Sequence, residues 1–214
     1  LDRSGAAGGI CVLVGDEHAE LAVAVAKLGP FVVHVLASSP EQRDALRTEI
    51  LRQGLYGPVS VDLYTPGRLP YREKLVNLVV VESGVELPPA EAFRVLAPLG
   101  MVVYRTETGW NETVKPWPAE IDEWGHYLHG ADGNPVAWDT VVGPPRRYQW
   151  LGEPLWQRSH ETDSSVATLV TAQGRLFYIS DEAPISLTGQ HNLPDKWCVV
   201  ACDAFNGTVL WKVP

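Results

Sequence analysis

Between residues 9 and 104 one pattern recurs, and it constrains the fold more than any other feature of the chain. Short runs of Val, Leu and Ile alternate with amphipathic stretches, each closed by Gly, Ser or Pro. The runs span 9–15, 31–36, 59–62, 75–81 and 101–104. A continuous apolar run of this length fits a strand buried on both faces. The intervening stretches read as helices. Leu21, Val25 and Leu28 share one face, with Asp16 as the expected cap and Gly29 as the stop. Ser39, Pro40 and Gln42 form a helix start with a capping box, Leu46, Ile50 and Leu51 make its stripe, and Gly54 ends it. Pro88 and Pro89 open a third helix that Pro98 and Gly100 close. Strand–helix alternation at this spacing predicts a doubly wound parallel sheet, an α/β Rossmann-like fold.

The second half is built differently. All eight tryptophans follow residue 109, which puts a seam near 104–111. Residues 118–129 are expected to form a short amphipathic helix carrying Ile121, Trp124, Tyr127 and Leu128 on its apolar face. Asp132-Gly-Asn134 reads as a turn. Short β character is expected at 148–150, and paired strands at 166–174 with 175–180 and at 196–203 with 207–211. Gln173-Gly174 and Asn206-Gly207 supply the turns. Four such strands make one antiparallel sheet. The expected organisation is an arm over 1–9, a Rossmann-like domain over 10–105, a Trp/His/Pro-rich linker over 106–145 and the antiparallel sheet over 146–214.

Charge narrows the partners. The chain of 214 residues carries a net charge of −9 with no basic cluster, which argues against nucleic acid and against an anionic membrane surface. No apolar stretch is long enough for a membrane-spanning helix. Without an initiator Met or a signal peptide, the chain is expected to be a trimmed piece of something longer. Cys11, Cys198 and Cys202 are expected to be buried thiols; the last two share a side of one strand and are too far apart for a comfortable disulfide.

Three phrases of the first half, Arg68-Leu-Pro-Tyr71, Asn77-Leu-Val-Val-Val-Glu82 and Phe93-Arg-Val-Leu-Ala-Pro-Leu-Gly100, occur in an order that resembles the class I S-adenosylmethionine-dependent methyltransferases. In that family the last phrase reads like R-V-L-K-P-G-G. The resemblance implies a cofactor held by a glycine-rich turn after the first strand. Laid from Leu13, the family pattern D-x-G-x-G-x-G keeps only Gly15. Glu17 and Ala19 stand where glycines belong, and Leu13 stands where the acid belongs. The ribose-gripping carboxylate at the end of the second strand is replaced by Leu36-Ala-Ser38, the acid near the adenine by Thr65-Pro-Gly67, and the fourth-strand acid by Asn77. Each lost charged hydrogen bond is worth about 1.5–3 kcal/mol. The expectation is therefore no cofactor; if S-adenosylmethionine binds, Gly15, Asp16, Glu17 and Ser38 are the residues to hold it.

Asp203-Ala-Phe-Asn-Gly-Thr-Val-Leu-Trp211 resembles the repeat of pyrroloquinoline-quinone (PQQ)-type β-propellers, D-A-x-T-G-x-x-x-W. The resemblance implies about one propeller blade, with Trp211 packing between neighbouring blades supplied by the rest of the polypeptide or by a partner chain. The pairing of modules is similar to large multidomain proteins of planctomycete-type bacteria and implies an extracytoplasmic setting. Asp122, His126 and His129 would share one face of the expected 118–129 helix, a plausible divalent-metal set; a solvated face with Trp-stacked imidazoles and no metal is expected. His160, Asp163, Asp181, His191 and Asp195 fall in loops of one sheet. No nucleophilic triad or phosphate loop can be picked out. The leading functional expectation is a non-catalytic scaffold. The alternatives are a divergent methyltransferase and part of a PQQ-dependent oxidoreductase.

Overall fold

The computed structural model describes residues 5–141, 143–144, 148–152, 165–183 and 195–214. The chain divides into two compact units, Leu1–Trp117 and Pro118–Pro214.

The first unit is a six-stranded sheet of order β3-β2-β1-β4-β5-β6. Its strands are β1 (Gly9–Val14), β2 (Phe31–Ala37), β3 (Val59–Leu63), β4 (Val76–Val81), β5 (Leu96–Thr106) and β6 (Gly109–Val114), and its helices are α1 (Ala19–Leu28), α2 (Pro40–Arg52) and α3 (Pro89–Val95). The first five strands run parallel. β1 is paired on both edges by β2 and β4, helices cover both faces of the sheet, and alternate residues of β1 feed two cores. Cys11 and Leu13 pack with Val33, Val35, Ala22, Val25, Leu46 and Ile50. Val12 and Val14 pack with Leu36, Val79, Val81, Ala92 and Val95 on the other side. Each buried Val, Leu or Ile contributes roughly 1.5–3 kcal/mol, which explains why β1 is apolar throughout.

Two local expectations are corrected. Asp16 does not cap α1: the residue before the helix is His18, with no side-chain capping bond, and the Asp16 carboxylate is engaged elsewhere. The sheet also continues past residue 105. β6 pairs antiparallel with β5 from Met101–Val114 to Thr106–Gly109. All six β6 residues are exposed, so the strand carries no apolar alternation to read. By contrast, Ser39 does cap α2, accepting from the Gln42 N–H at 3.3 Å.

The second unit contains a meander, β10-β9-β8-β7, of β7 (Val166–Ala172), β8 (Arg175–Asp181), β9 (Trp197–Asp203) and β10 (Val209–Val213). Gln173 and Gly174 both take positive φ, 50° and 74°, the requirement of a tight two-residue hairpin turn. The β9–β10 connection is held by Asp203, whose carboxylate accepts from Phe205 and Asn206 N–H. Pairing places Ile179, Trp197, Val199, Trp211 and Val213 on one face, where they are 37–52% exposed. Cys198, Val200 and Cys202 are buried on the other; all three cysteines are free.

Residues 118–129 are not a helix, and 148–150 are not a strand. Gly125 interrupts the helical stretch. Asp122 spends its carboxylate on nearby backbone N–H groups, the competition that disfavours Asp inside helices. Trp124 turns its own backbone outward to β7, accepting from Thr171 N–H at 2.8 Å.

Leu99 and Gly100 stand where the methyltransferase phrase has two glycines, and the backbone shows why. Leu99 has φ of 65°. A Cβ on Gly100 would lie 2.9–3.1 Å from the carbonyl oxygens of Ala97, Val76 and Asn77. The left-handed conformation costs a residue bearing Cβ about 1–2 kcal/mol. Leu99→Gly is therefore expected to raise unfolding stability by up to about 1 kcal/mol, after the added freedom of the unfolded chain is subtracted. A lower urea midpoint in that variant would show that Leu99 is held by side-chain packing instead.

Candidate functional site

In a sheet of order 3-2-1-4-5 the connections reverse direction between β1 and β4, and the carboxyl ends of those strands are where such folds place ligands. Gly15 follows β1 there and Glu82 follows β4, with Val14 and Val81 paired in register just before them. The Glu82 side chain, 12% exposed, turns into the β1–α1 loop. Its Oε2 accepts the Asp16 N–H at 2.9 Å and its Oε1 accepts the Glu17 N–H at 2.6 Å. Gly15 has φ of 136°, and a Cβ there would lie 2.1 Å from Glu82 Oε2. The glycine is thus required by a carboxylate of the chain itself. A ligand reaching these amides must displace two charge-assisted hydrogen bonds, each worth about 1.5–3 kcal/mol.

The four residues named as cofactor holders, Gly15, Asp16, Glu17 and Ser38, do come together at this turn. Asp16 accepts the Ser38 N–H at 2.8 Å and also the Ser38 hydroxyl, tying the end of β1 to the end of β2. Glu17 reaches Arg105 Nη1 at 3.2 Å, and the Arg105 guanidinium lies 5.9 Å from the Trp110 ring centroid. Beside them is an open cavity of about 350 Å³ lined by Glu17, Glu82, Ser83, Arg105, Thr106 and Glu107. His18 lies beneath, 3% exposed, with Nε2 3.5 Å from Glu82 Oε1 and 3.3 Å from the Val14 carbonyl oxygen.

The departures from the methyltransferase pattern divide into two kinds. Leu13 and Leu36 are fully buried, one in each core. Both are packing residues, and neither side chain offers a carboxylate. Asn77 lies near the opposite ends of the strands, where its Oδ1 accepts the Ile10 N–H at 2.8 Å and fills the space over Gly9; it belongs to the framework. The other matching phrases are bound to each other. Arg94 donates to the Tyr71 and Leu69 carbonyl oxygens, and Glu91 accepts the Leu69 N–H. Glu82 itself went unassigned in the sequence. The signal was present: a lone carboxylate directly after the apolar run Leu78–Val81 of β4, which neighbours the glycine-ended strand.

In the second unit, Asp122 and His129 meet without a helix. Asp122 Oδ2 contacts His129 Nε2 at 2.7 Å and accepts Trp138 N–H at 2.7 Å, while Oδ1 accepts Glu123 N–H. These N–H groups, Trp138 first, hold the Asp122 carboxyl below its usual pKa. Trp124 stacks edge-on against His129. His126 joins His129 only through the backbone of a tight turn. Among the described residues no three His, Cys, Asp or Glu side chains converge as a metal-ligand set. Asp181 closes a loop by accepting Ala183 and Lys196 N–H; His160, Asp163 and His191 lie outside the described residues.

No protein-family model matches the chain, and no curated protein matches it in sequence. Solved structures similar to it include several methyltransferases. One from Methanococcus maripaludis, assigned as S-adenosyl-L-methionine-dependent, superposes with a TM-score of 0.44 at 20% identity over 48% of this chain and 50% of that one. The geranyl diphosphate C-methyltransferase of Streptomyces coelicolor A3(2) gives 0.44 at 17% identity over 48% and 40%. A SAM-dependent methyltransferase of Aquifex aeolicus gives 0.40 at 17% identity over 48% and 59%. The chain spans about half or less of the first of these matches.

Burial lowers the pKa of His18, opposed by the charge of Glu82, and burial likewise lowers that of His34, opposed by Asp62 at 3.4 Å. A depressed histidine pKa means the unfolded chain takes up the proton first, from about pH 6.5 downward. The stability these neutral histidines give is complete above that pH and is lost as pH falls toward their folded values. Urea midpoints are expected to be lower at pH 5.5 than at pH 7.5, with the difference shrinking in a His18→Asn/His34→Asn variant. Equal midpoints at the two pH values would contradict the assignment.

Proposed function

We propose that the chain is a non-catalytic scaffold, a Rossmann-like unit whose ligand end is closed by its own Glu82, joined to a sheet that packs against further β-sheets in a PQQ-type propeller. One observation carries the first part: the Glu82 carboxylate sits on the Asp16 and Glu17 amides, which a bound cofactor would need. The buried, apolar Leu13 and Leu36 support it, since they stand where the resemblance places the first-strand acid and the ribose-gripping carboxylate. The residues present do not fit that cofactor. The sheet reading rests on the repeat phrase ending at Trp211 and on the exposed face of Trp197, Val199, Trp211 and Val213. Apolar residues clustered on one sheet face mark a contact surface. The partners are then further blades from the rest of the polypeptide or a partner chain, in an extracytoplasmic compartment of a bacterium.

The methyltransferase alternative has one observation in its favour, the cavity between Glu82 and Arg105. Isothermal titration separates the two. The chain is expected to bind S-adenosylmethionine more weakly than micromolar, and Glu82→Ala is expected to leave it so, because the ribose contacts remain absent. Micromolar or tighter affinity in the unaltered chain overturns the scaffold reading. A quinone-dependent oxidoreductase would keep its site in further sheets.

A further inference from the structure

The 120–140 loop of the second unit reverses the usual arrangement of side chains, with polar groups inside and apolar groups outside. Its ends are tied together by the Thr140 N–H on the Glu120 carbonyl oxygen at 3.2 Å and by the Asp122 N–H on Asp139 Oδ1 at 2.8 Å. Between them, Asp122 Oδ2 contacts both His129 Nε2 and the Trp138 N–H, each at 2.7 Å, and His129 is buried. Trp124 fastens the loop to β7, donating its N–H to the Thr171 hydroxyl at 2.7 Å and accepting the Thr171 N–H. A tight turn follows, in which His126 and His129 each donate a backbone N–H to the other's carbonyl oxygen. Tyr127 and Leu128 lie at its tip. With the polar groups committed to holding the backbone, Tyr127 is 69% and Trp138 68% exposed, and Leu128, Val136 and Val141 are exposed with them. An aromatic side chain carries about 150–250 Å². Two rings exposed to this degree, with three aliphatic side chains of the same loop region, approach the few hundred Å² of apolar surface that marks a contact site.

We propose that the 120–140 loop is a docking surface for a cationic, amphipathic segment of a partner polypeptide, whose Lys or Arg groups meet the Tyr127 and Trp138 rings and whose apolar side chains meet Leu128, Val136 and Val141. Charge selects this partner. Residues 116–145 contain five carboxylates, Glu120, Asp122, Glu123, Asp132 and Asp139, and no Lys or Arg. Carboxylates that accept backbone N–H bonds, as Asp122 does, stay ionised. Their field draws a cation toward the loop, and the faces of an indole and a phenol add their own attraction for it. The first unit contains the same chemistry, with the Arg105 guanidinium 5.9 Å from the Trp110 ring centroid. A second copy of the chain would bring the same five carboxylates to the contact, and nucleic acid or anionic lipid would bring phosphates, so like charge opposes each of these. The loop is held by its own hydrogen bonds before a partner arrives, which lowers the ordering cost of binding. This surface shares no residue with the sheet face of Trp197, Val199, Trp211 and Val213, and it stands whether or not that face meets further sheets.

The test uses the full chain and a synthetic peptide of three Arg-Leu repeats, with three Glu-Leu repeats as the charge-reversed control. At low salt the Arg-Leu peptide is expected to bind at about 100 μM or tighter, shifting the NMR resonances of the Trp138 indole and the Tyr127 ring, while the control does not bind. Tyr127→Ala/Trp138→Ala keeps every charge and is expected to weaken binding roughly tenfold or more with an unchanged melting temperature. Trp197→Ala/Trp211→Ala is expected to leave binding unchanged. No binding of the Arg-Leu peptide overturns the proposal. Equal binding by the Tyr127→Ala/Trp138→Ala variant also overturns it, since the peptide is then adsorbed by the net charge of −9 alone. Equal binding of the Glu-Leu control overturns the cationic partner. Attachment to phosphatidylcholine vesicles in place of peptide binding, lost in the same double variant, assigns the surface to lipid and overturns the proposal. Mass that grows with concentration in sedimentation equilibrium, lost in that variant, assigns it to a second copy and does the same. Where the double variant does not melt cooperatively, the unaltered chain decides: peptide-induced shifts confined to 120–141 sustain the proposal, and shifts centred elsewhere overturn it.

Discussion

The backbone amides of Asp16 and Glu17 have to be paired, and that requirement shapes the first unit. They stand at the end of β1, the strand with a neighbour on each side and a packed core on each face, at the point where the sheet reverses its order of connection. The Asp16 amide is part-buried and the Glu17 amide exposed; an unpaired polar group costs about 1–3 kcal/mol when it is buried. In a ligand-binding relative of such a fold, the ligand shares in the pairing. Here Glu82 does it, from the adjacent strand end, at 2.9 and 2.6 Å. Gly15 is kept because Glu82 lies over it. Asp16 fastens Ser38 and with it the end of β2. His18 is buried against the same carboxylate. The local geometry is that of a binding loop, and the occupant is covalently part of the chain.

The second unit repeats this logic with apolar chemistry. The 204–207 turn offers a carbonyl and a bare glycine, and Trp150 covers both. In each unit a side chain distant in sequence satisfies backbone groups at a turn. Among the described residues, Trp197, Val199, Trp211 and Val213 leave one exposed apolar sheet face, and a chain acting as a scaffold would present such a face to its partner.

Much of this was legible in the residues, for physical reasons. The buried strands of the first unit are continuous apolar runs because both their faces are covered, and the Ser39 cap and the Gln173-Gly174 turn depend on local chemistry alone. The misreadings come from tertiary bonds. β6 is an edge strand exposed on both faces, so it has no pattern. The 118–129 stretch has helical spacing, yet Asp122 and Trp124 commit their hydrogen bonds to Trp138 and Thr171, which no periodicity reveals. Asp16, Glu17 and Ser38 lie at one turn because strand ends are fixed by topology. The residue that decides the character of the site, Glu82, was overlooked because its role arises only when β4 is placed beside β1. Leu99, at a position of obligatory left-handed backbone, shows the reverse: the sequence retains a strained residue where its resemblance suggests glycine.

The central claim is that Glu82 closes the ligand end of the sheet. A crystal structure determined after growth in millimolar S-adenosylhomocysteine tests it directly. The account predicts the Glu82 carboxylate on the Asp16 and Glu17 amides with no ligand density over Gly15; an ordered nucleoside at the ends of β1 and β2, with Glu82 swung away, would contradict it.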